Sequence, residues 1–175
     1  MNNAISKILP TENNGETINV IVEIQKGSKN KYELDKETGL IKLDRVSYTS
    51  QDFPFDYGFV PNTLWHDGDP LDVVLLTTYA LMPGILVEAR PVAIMHMTDS
   101  GDSDAKIIAV PAKDPRFENT KNLKDVNPHL IKEFTHFYEN YKTLQNKVVT
   151  IDGIGDVDEA RKAIAESIEL YKSKN

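Results

Sequence analysis

The sequence predicts an α+β protein that is mostly β, most simply a five-stranded closed barrel with flanking helices, two of them C-terminal. Three observations predict it. Short alternating or continuously apolar stretches recur through residues 18–110, each bounded by Gly, Pro or Asp. Helical periodicity appears only after the Asn127-Pro128 pair. At 175 residues and 40% hydrophobic content the chain suits one substantial core, so 1–175 is read as a single domain with 1–17 as an N-terminal arm.

The elements follow in order. Residues 1–17 are polar and broken by Pro10 and Gly15, an arm or short helix followed by a loop. From there Ile18, Val20, Val22 and Ile24 fall on one face and Ile21 and Glu23 on the other, the period of a strand. Lys31-Tyr32-Glu33-Leu34-Asp35 alternates again, and Lys36-Glu37-Thr38-Gly39 turns it back into a strand at 40–45, where Arg45 is in phase with Ile41 and Leu43. Residues 47–63 include Phe53-Pro54-Phe55-Asp56-Tyr57-Gly58-Phe59-Val60-Pro61, too apolar for a solvated loop and too interrupted for a helix. A packed, irregular wall is expected there.

Residues 73–76 and 85–97 read as further strands joined through Met82-Pro83-Gly84, and an acidic stretch at 99–106 runs into a strand at 107–110. Asn127-Pro128 then supplies an N-cap and a first-turn proline, with Leu130, Ile131, Phe134, Phe137, Tyr138 and Tyr141 at helical spacing. A last helix begins near Asp156, with Glu159 three residues on as in a capping box and Ile164, Ile168 and Tyr171 as its buried stripe.

Composition excludes several classes. A net charge of −7 argues against a broad nucleic-acid or anionic-membrane footprint, although bound cations would still admit a small anionic substrate. With no cysteine there is no disulfide framework, Fe–S cluster or thiolate zinc site, as suits a cytoplasmic protein. Residues 1–10 lack a basic stretch followed by an apolar core, and no apolar run reaches membrane-spanning length.

The chemistry concentrates at Asp67-Gly68-Asp69-Pro70-Leu71-Asp72, three carboxylates in six positions. Ionised carboxylates this close repel one another, and their oxygens suit a hard divalent ion. Alone, the stretch is as readily a solvated acidic turn. The apolar run that follows instead places Asp72 at the mouth of a buried strand. Asp99, Asp102 and Asp104 form a second acidic cluster before another such strand, so sheet formation can bring both to one rim, with Glu23 and Glu33 beside them.

The cations Lys31, Arg45, Lys106 and Lys142 complete a set suited to a polyanion bridged by several metal ions. Surface ion pairing explains any one of these residues, but not the ensemble. An EF-hand fails, because Asp72 or Ile107 stands where its glycine belongs. The four histidines show no zinc spacing, and no phosphate-binding, dinucleotide-binding or serine-hydrolase glycine motif is present. Tyr141 reads first as a core residue with a wet hydroxyl, whereas Tyr57 is equally a packing residue or a hydroxyl aimed at substrate.

Asp67-Gly68-Asp69-Pro70-Leu71-Asp72-Val73 resembles the signature of the family I soluble inorganic pyrophosphatases, bacterial type. The resemblance runs from Glu23 to Lys142 and takes in Lys31-Tyr32-Glu33, Asp44-Arg45, Tyr57-Gly58, Arg90-Pro91-Val92, Met97-Thr98-Asp99, Asp104-Ala105-Lys106 and Tyr141-Lys142. It implies an OB-like barrel, hydrolysis of pyrophosphate to two phosphates, dependence on several Mg²⁺ ions (Mn²⁺ or Zn²⁺ as substitutes) and a homohexamer. By the same resemblance Asp67, Asp72 and Asp104 hold the tightest metal, and Asp72 also touches a second. Asp99 with Asp104 holds metal arriving with substrate, while Glu33 and Glu23 act through water. Asp69 is the general base, and Lys31, Arg45, Tyr57, Lys106, Tyr141 and Lys142 bind phosphate. One departure is Phe53, where many bacterial members have Tyr.

These residue types suit that chemistry. Asp69, offset from the metal-binding carboxylates, can take a proton from the attacking water, and Lys and Arg can stabilise charge on the departing phosphate. Two alternatives belong to other classes. A phosphoesterase on other substrates would need a base- or sugar-stacking platform that is not evident here. An OB-like nucleic-acid binder would need a basic face with exposed aromatics, where this face is acidic.

Overall fold

The computed structural model describes residues 4–174. After a 3-10 turn at Ala4–Lys7, a two-residue strand, β1 (Thr11–Glu12), pairs antiparallel with the start of β2 (Thr17–Ile24). The expected arm is therefore pinned to the sheet, and its first three residues lie outside the described ones. Every residue of β2 is buried, so the alternation read at 18–24 separates two covered faces rather than a wet face from a dry one.

The hairpin forms where it is expected, as β3 (Asn30–Leu34) and β4 (Ile41–Val46), a two-stranded sheet of its own. The wall expected at 47–63 is packed from Phe53 onward but not over 47–52, where Tyr48 is 60% exposed, and it also holds a strand, β5 (Asp56–Phe59). Next come β6 (Asp72–Leu75), the long β7 (Leu86–Asp99) and β8 (Asp102–Pro111). Helix α1 (Pro128–Asn140) follows, then β9 (Val149–Gly155) and the C-terminal α2 (Val157–Lys174). The sequence reading has no counterpart to β9, which pairs with the second half of β7 from Ile94↔Gly155 to Asp99↔Val149.

Five strands close a ring in the order β2-β5-β6-β8-β7, and β7 returns to β2 through pairs such as Ile18↔Ala89. This is the mostly-β, OB-like barrel that the sequence predicts. Every pairing in the ring is antiparallel except β6 with β8, which is parallel. The register shift after Pro91 bends β7, so that one strand can serve β2, β8 and β9 in turn.

The sheet's two faces feed two apolar clusters. Val73 and Leu75 join Ile18, Val20, Leu71 and Ile107 against Ala160 and Ile164 of α2. Val74 and Leu76 join Phe55, Met95 and Ile108 against Phe134, Phe137 and Tyr138 of α1. Phe55 is the hub of the second, with ring centroids 5.1 Å from Phe134 and 5.5 Å from both Phe137 and Tyr138. Burial of each such side chain contributes about 1.5–3 kcal/mol. The aromatic wall is thus the socket for α1, which is why it is neither loop nor helix.

Helix α1 starts as its sequence predicts, with the Asn127 side chain accepting from the His129 amide at 2.9 Å and Pro128 in the first turn. At α2 the Asp156 carboxylate caps the Asp158 and Glu159 amides. The Glu159 carboxylate lies 3.4 Å from His96, a cross-link to β7 in place of a closed capping box.

Candidate active site

The site is built on the parallel seam. The β6–β8 register sets Asp72 opposite Lys106, and strand alternation puts Asp104 on the same face as Lys106. The Lys106 ammonium donates to Asp72 Oδ2 at 2.5 Å and to Asp104 Oδ1 and Oδ2 at 2.6 and 2.7 Å. Lys106 is 4% exposed, and its Nζ stands 5.6 Å from the centre of the Tyr57 ring on β5. Burial first, and then the Asp72 charge, hold the Tyr57 hydroxyl in its protonated form.

The acidic loop is folded on Trp65. The Trp65 amide donates to the Asp69 carbonyl at 2.7 Å and Gly68 donates back to the Trp65 carbonyl at 3.1 Å, with Gly68 at φ +92 where a side chain would strain. Asp67 Oδ1 accepts the Asp69 amide at 3.0 Å. Fully buried Leu71, whose amide donates to Thr63 Oγ1 at 3.0 Å, anchors the loop's far end. The Trp65 ring is buried with an edge against His66, 4.7 Å between centroids, and His66 itself faces Glu166 at 2.9 Å.

The β3–β4 hairpin supplies a second side. Lys31 pairs with Glu33 and, at 3.4 Å, with Asp44, and Arg45 pairs with Asp44 at 2.5 Å. Buried Glu23 accepts the Leu34 amide at 2.7 Å, which ties the hairpin to β2. A third group sits where β7 ends: the Asp99 carboxylate accepts from Lys142 and, at 3.5 Å, from the Tyr141 hydroxyl. Arg45 also acts electrostatically on Tyr141 and Lys142, so hairpin and α1 end face each other.

Glu23, Lys31, Glu33, Tyr57, Asp67, Asp69 and Asp72 line one cavity of about 450 Å³. Arg45, Asp99, Asp104, Lys106, Tyr141 and Lys142 do not line that cavity and stand in the adjoining groups described above. Phe53, 6% exposed, packs 4.9 Å from Phe137 in the wall beneath.

The electrostatics are those of a site short of positive charge. Burial, with Asp72 adding to it, raises Asp104 to about 6 even beside Lys106. Burial raises Glu23 to about 8 and also raises Asp67. For Asp99 burial acts upward, but Lys142 outweighs it and holds the carboxyl below its ordinary value. Among the described residues no three acidic or histidine side chains converge as a ready cation cage, and the Lys106 ammonium bridges Asp72 and Asp104. An all-oxygen donor set in which burial raises Glu23, Asp67 and Asp104 nonetheless fits a hard divalent cation, which would relieve the same repulsion as a proton.

Lys36, read from sequence only as part of a turn, reaches Asp69 Oδ1 at 2.9 Å. Its place in the turn gave no signal of this, since the partner lies 33 positions away. No helix among the described residues is long and apolar enough to cross a membrane.

The family model described as inorganic pyrophosphatase matches residues 20–172. The inorganic pyrophosphatase of Nostoc sp. is 46% identical over 94% of this chain and 97% of its own, and that of Saccharolobus solfataricus 48% identical over 95% and 98%. Among solved structures, the inorganic pyrophosphatase of Thermus thermophilus superposes with a TM-score of 0.92 at 40% identity, covering 96% of this chain and 98% of that one. The Helicobacter pylori inorganic pyrophosphatase gives 0.90 at 39% identity, covering 95% and 99%.

Proposed function

This chain belongs to the inorganic pyrophosphatase family and is a divalent-metal-dependent diphosphatase, and we propose which of its residues carry the hydrolysis of pyrophosphate to two orthophosphates. The cofactor is Mg²⁺, several ions per site, with Mn²⁺ or Zn²⁺ as substitutes. Asp67, Asp72 and Asp104 hold the tightest ion, Asp72 shares a second, and Asp99 with Asp104 takes ions that come with substrate. Glu33 and Glu23 act through water. Bound there, the ions polarise the attacking water and the phosphoryl oxygens.

The chain's own groups do the rest. Lys31, Arg45, Tyr57, Lys106, Tyr141 and Lys142 bind the phosphates, and the cations among them stabilise the leaving group as the bridging oxygen departs. Asp69 takes the proton of the attacking water. Its support is position: it lines the cavity on the loop between Asp67 and Asp72 while remaining outside the Asp72–Lys106–Asp104 cluster. Residues 1–175 act as one domain, in a cytoplasmic homohexamer, with no nucleic-acid or membrane partner.

The observation that carries this reading is the parallel β6–β8 register, which gathers Asp72, Asp104 and Lys106 from segments 34 positions apart. Phosphate release from pyrophosphate is the test. Release that depends on Mg²⁺ and far exceeds release from ATP is expected. Equal turnover in EDTA, or a preference for ATP, would overturn it.

A further inference from the structure

Two buried side-chain polar atoms among the described residues have no hydrogen-bond partner: Trp65 Nε1 and the Tyr138 hydroxyl. An indole nitrogen can only donate, whereas a phenol oxygen can also accept. Tyr138 is 2% exposed, its ring held 5.5 Å from Phe55 and 5.6 Å from Tyr141. A buried hydroxyl left unpaired is costly, so an orphan at this depth calls for a use. Burial pushes its proton affinity up, and the groups that act on it electrostatically are Lys106, Tyr141, Asp72 and Asp104. The orphan therefore lies within electrostatic reach of the Asp72–Lys106–Asp104 cluster.

Lys106 has the complementary difficulty. Its ammonium is buried and is satisfied by the Asp72 and Asp104 oxygens. A divalent cation on those carboxylates would compete with the ammonium for their lone pairs and repel it. A buried ammonium displaced from two carboxylates needs another acceptor.

We propose that Tyr138 is a positioning residue whose hydroxyl accepts the Lys106 ammonium once a divalent cation occupies Asp72 and Asp104, keeping it in the site for the substrate's phosphate. This rests on Asp72 and Asp104 being cation ligands. It accounts for a buried hydroxyl with no hydrogen-bond partner of its own, and it gives the aromatic stripe of α1 a role besides packing.

The test is calorimetric Mg²⁺ titration with thermal unfolding in EDTA, on the parent chain and on Tyr138→Phe, Asp104→Asn, Lys106→Met and the Tyr138→Phe/Lys106→Met double variant. The metal-free Tm of Tyr138→Phe should equal or exceed the parent's, since no bond is lost. Its Mg²⁺ affinity should fall about tenfold, the scale of one hydrogen bond to a charged group. In the Lys106→Met background the same substitution should leave Mg²⁺ affinity unchanged. A Tyr138→Phe protein that binds Mg²⁺ like the parent, beside a weakened Asp104→Asn, overturns the inference alone. Undiminished binding by Asp104→Asn overturns the ligand reading and the inference with it. A Tyr138→Phe effect that persists without Lys106 shows a packing role and also overturns it.

Discussion

Asp69 and Glu23 show how differently two carboxylates of one cavity are treated. Asp69 is exposed on its loop, with Lys36 at 2.9 Å. Asp69→Asn keeps the loop's shape, because the Asp69 contacts that hold the turn are made by its backbone. It should lower kcat roughly 10²–10⁴-fold. Mg²⁺ affinity should stay near the parent's, and steady-state rates beside a Mg²⁺ titration separate the two. Unchanged kcat at neutral pH would remove Asp69 from the base role.

Glu23 is buried, and its folded-state pKa stands at about 8 against an ordinary 4.5. A carboxyl raised in this way favours folding below its ordinary pKa and loses that contribution as pH rises through the folded value. Glu23→Gln retains an acceptor for the Leu34 amide and cannot ionise. At pH 8 it should stabilise the metal-free protein by roughly 1–3 kcal/mol. Urea unfolding in EDTA checks this, and a destabilised variant would show that the ionised form is already compensated.

At the scale of elements, β5 and β9 show where the sequence was silent. β5 hides because Gly58 and the proline-broken aromatics around it break any period. Gly58 is required there, since a Cβ would lie 1.9 Å from the Ile21 carbonyl oxygen on β2. Gly58→Ala must push the two strands apart and should cost upward of about 3 kcal/mol. A melting temperature within a degree or two of the parent's would contradict that close approach. β9 hides because its apolar alternation is confined to Val149 and Ile151 before Gly153 breaks the period, too short a run to read although both ends of the strand are buried. The ring strands β2, β6 and β8 were legible because burial made them apolar. The carboxylates 67–72 were legible because their spacing is unusual. The bridge from Lys106 to Asp72 and Asp104 was not, because it depends on which strands become neighbours.

For the whole molecule, the raised groups set a pH dependence that cations should cancel. Asp104 at about 6 and Glu23 at about 8 both favour the folded state when protonated. The metal-free Tm should therefore fall from about pH 4 to about pH 8, with the Asp104 contribution lost by about pH 6 and that of Glu23 by about pH 8. Saturating Mg²⁺ should flatten the fall while raising Tm throughout. A flat profile in EDTA would mean these carboxylates are not strained. Below pH 4 the sign reverses. Asp35, held down by Thr38, Asp114, held down by Thr78, and Glu88, held down by Thr17, stabilise the fold only while ionised. Their support is present above the ordinary carboxylate range and is lost on acidification through their lowered values.

The chain has a single tryptophan, and the acidic loop turns on that residue's own amide and carbonyl. Its indole, buried beside the carboxylates, is thus a built-in optical reporter. Emission intensity should track ion arrival at the loop in stopped-flow mixing, with no dye or label attached.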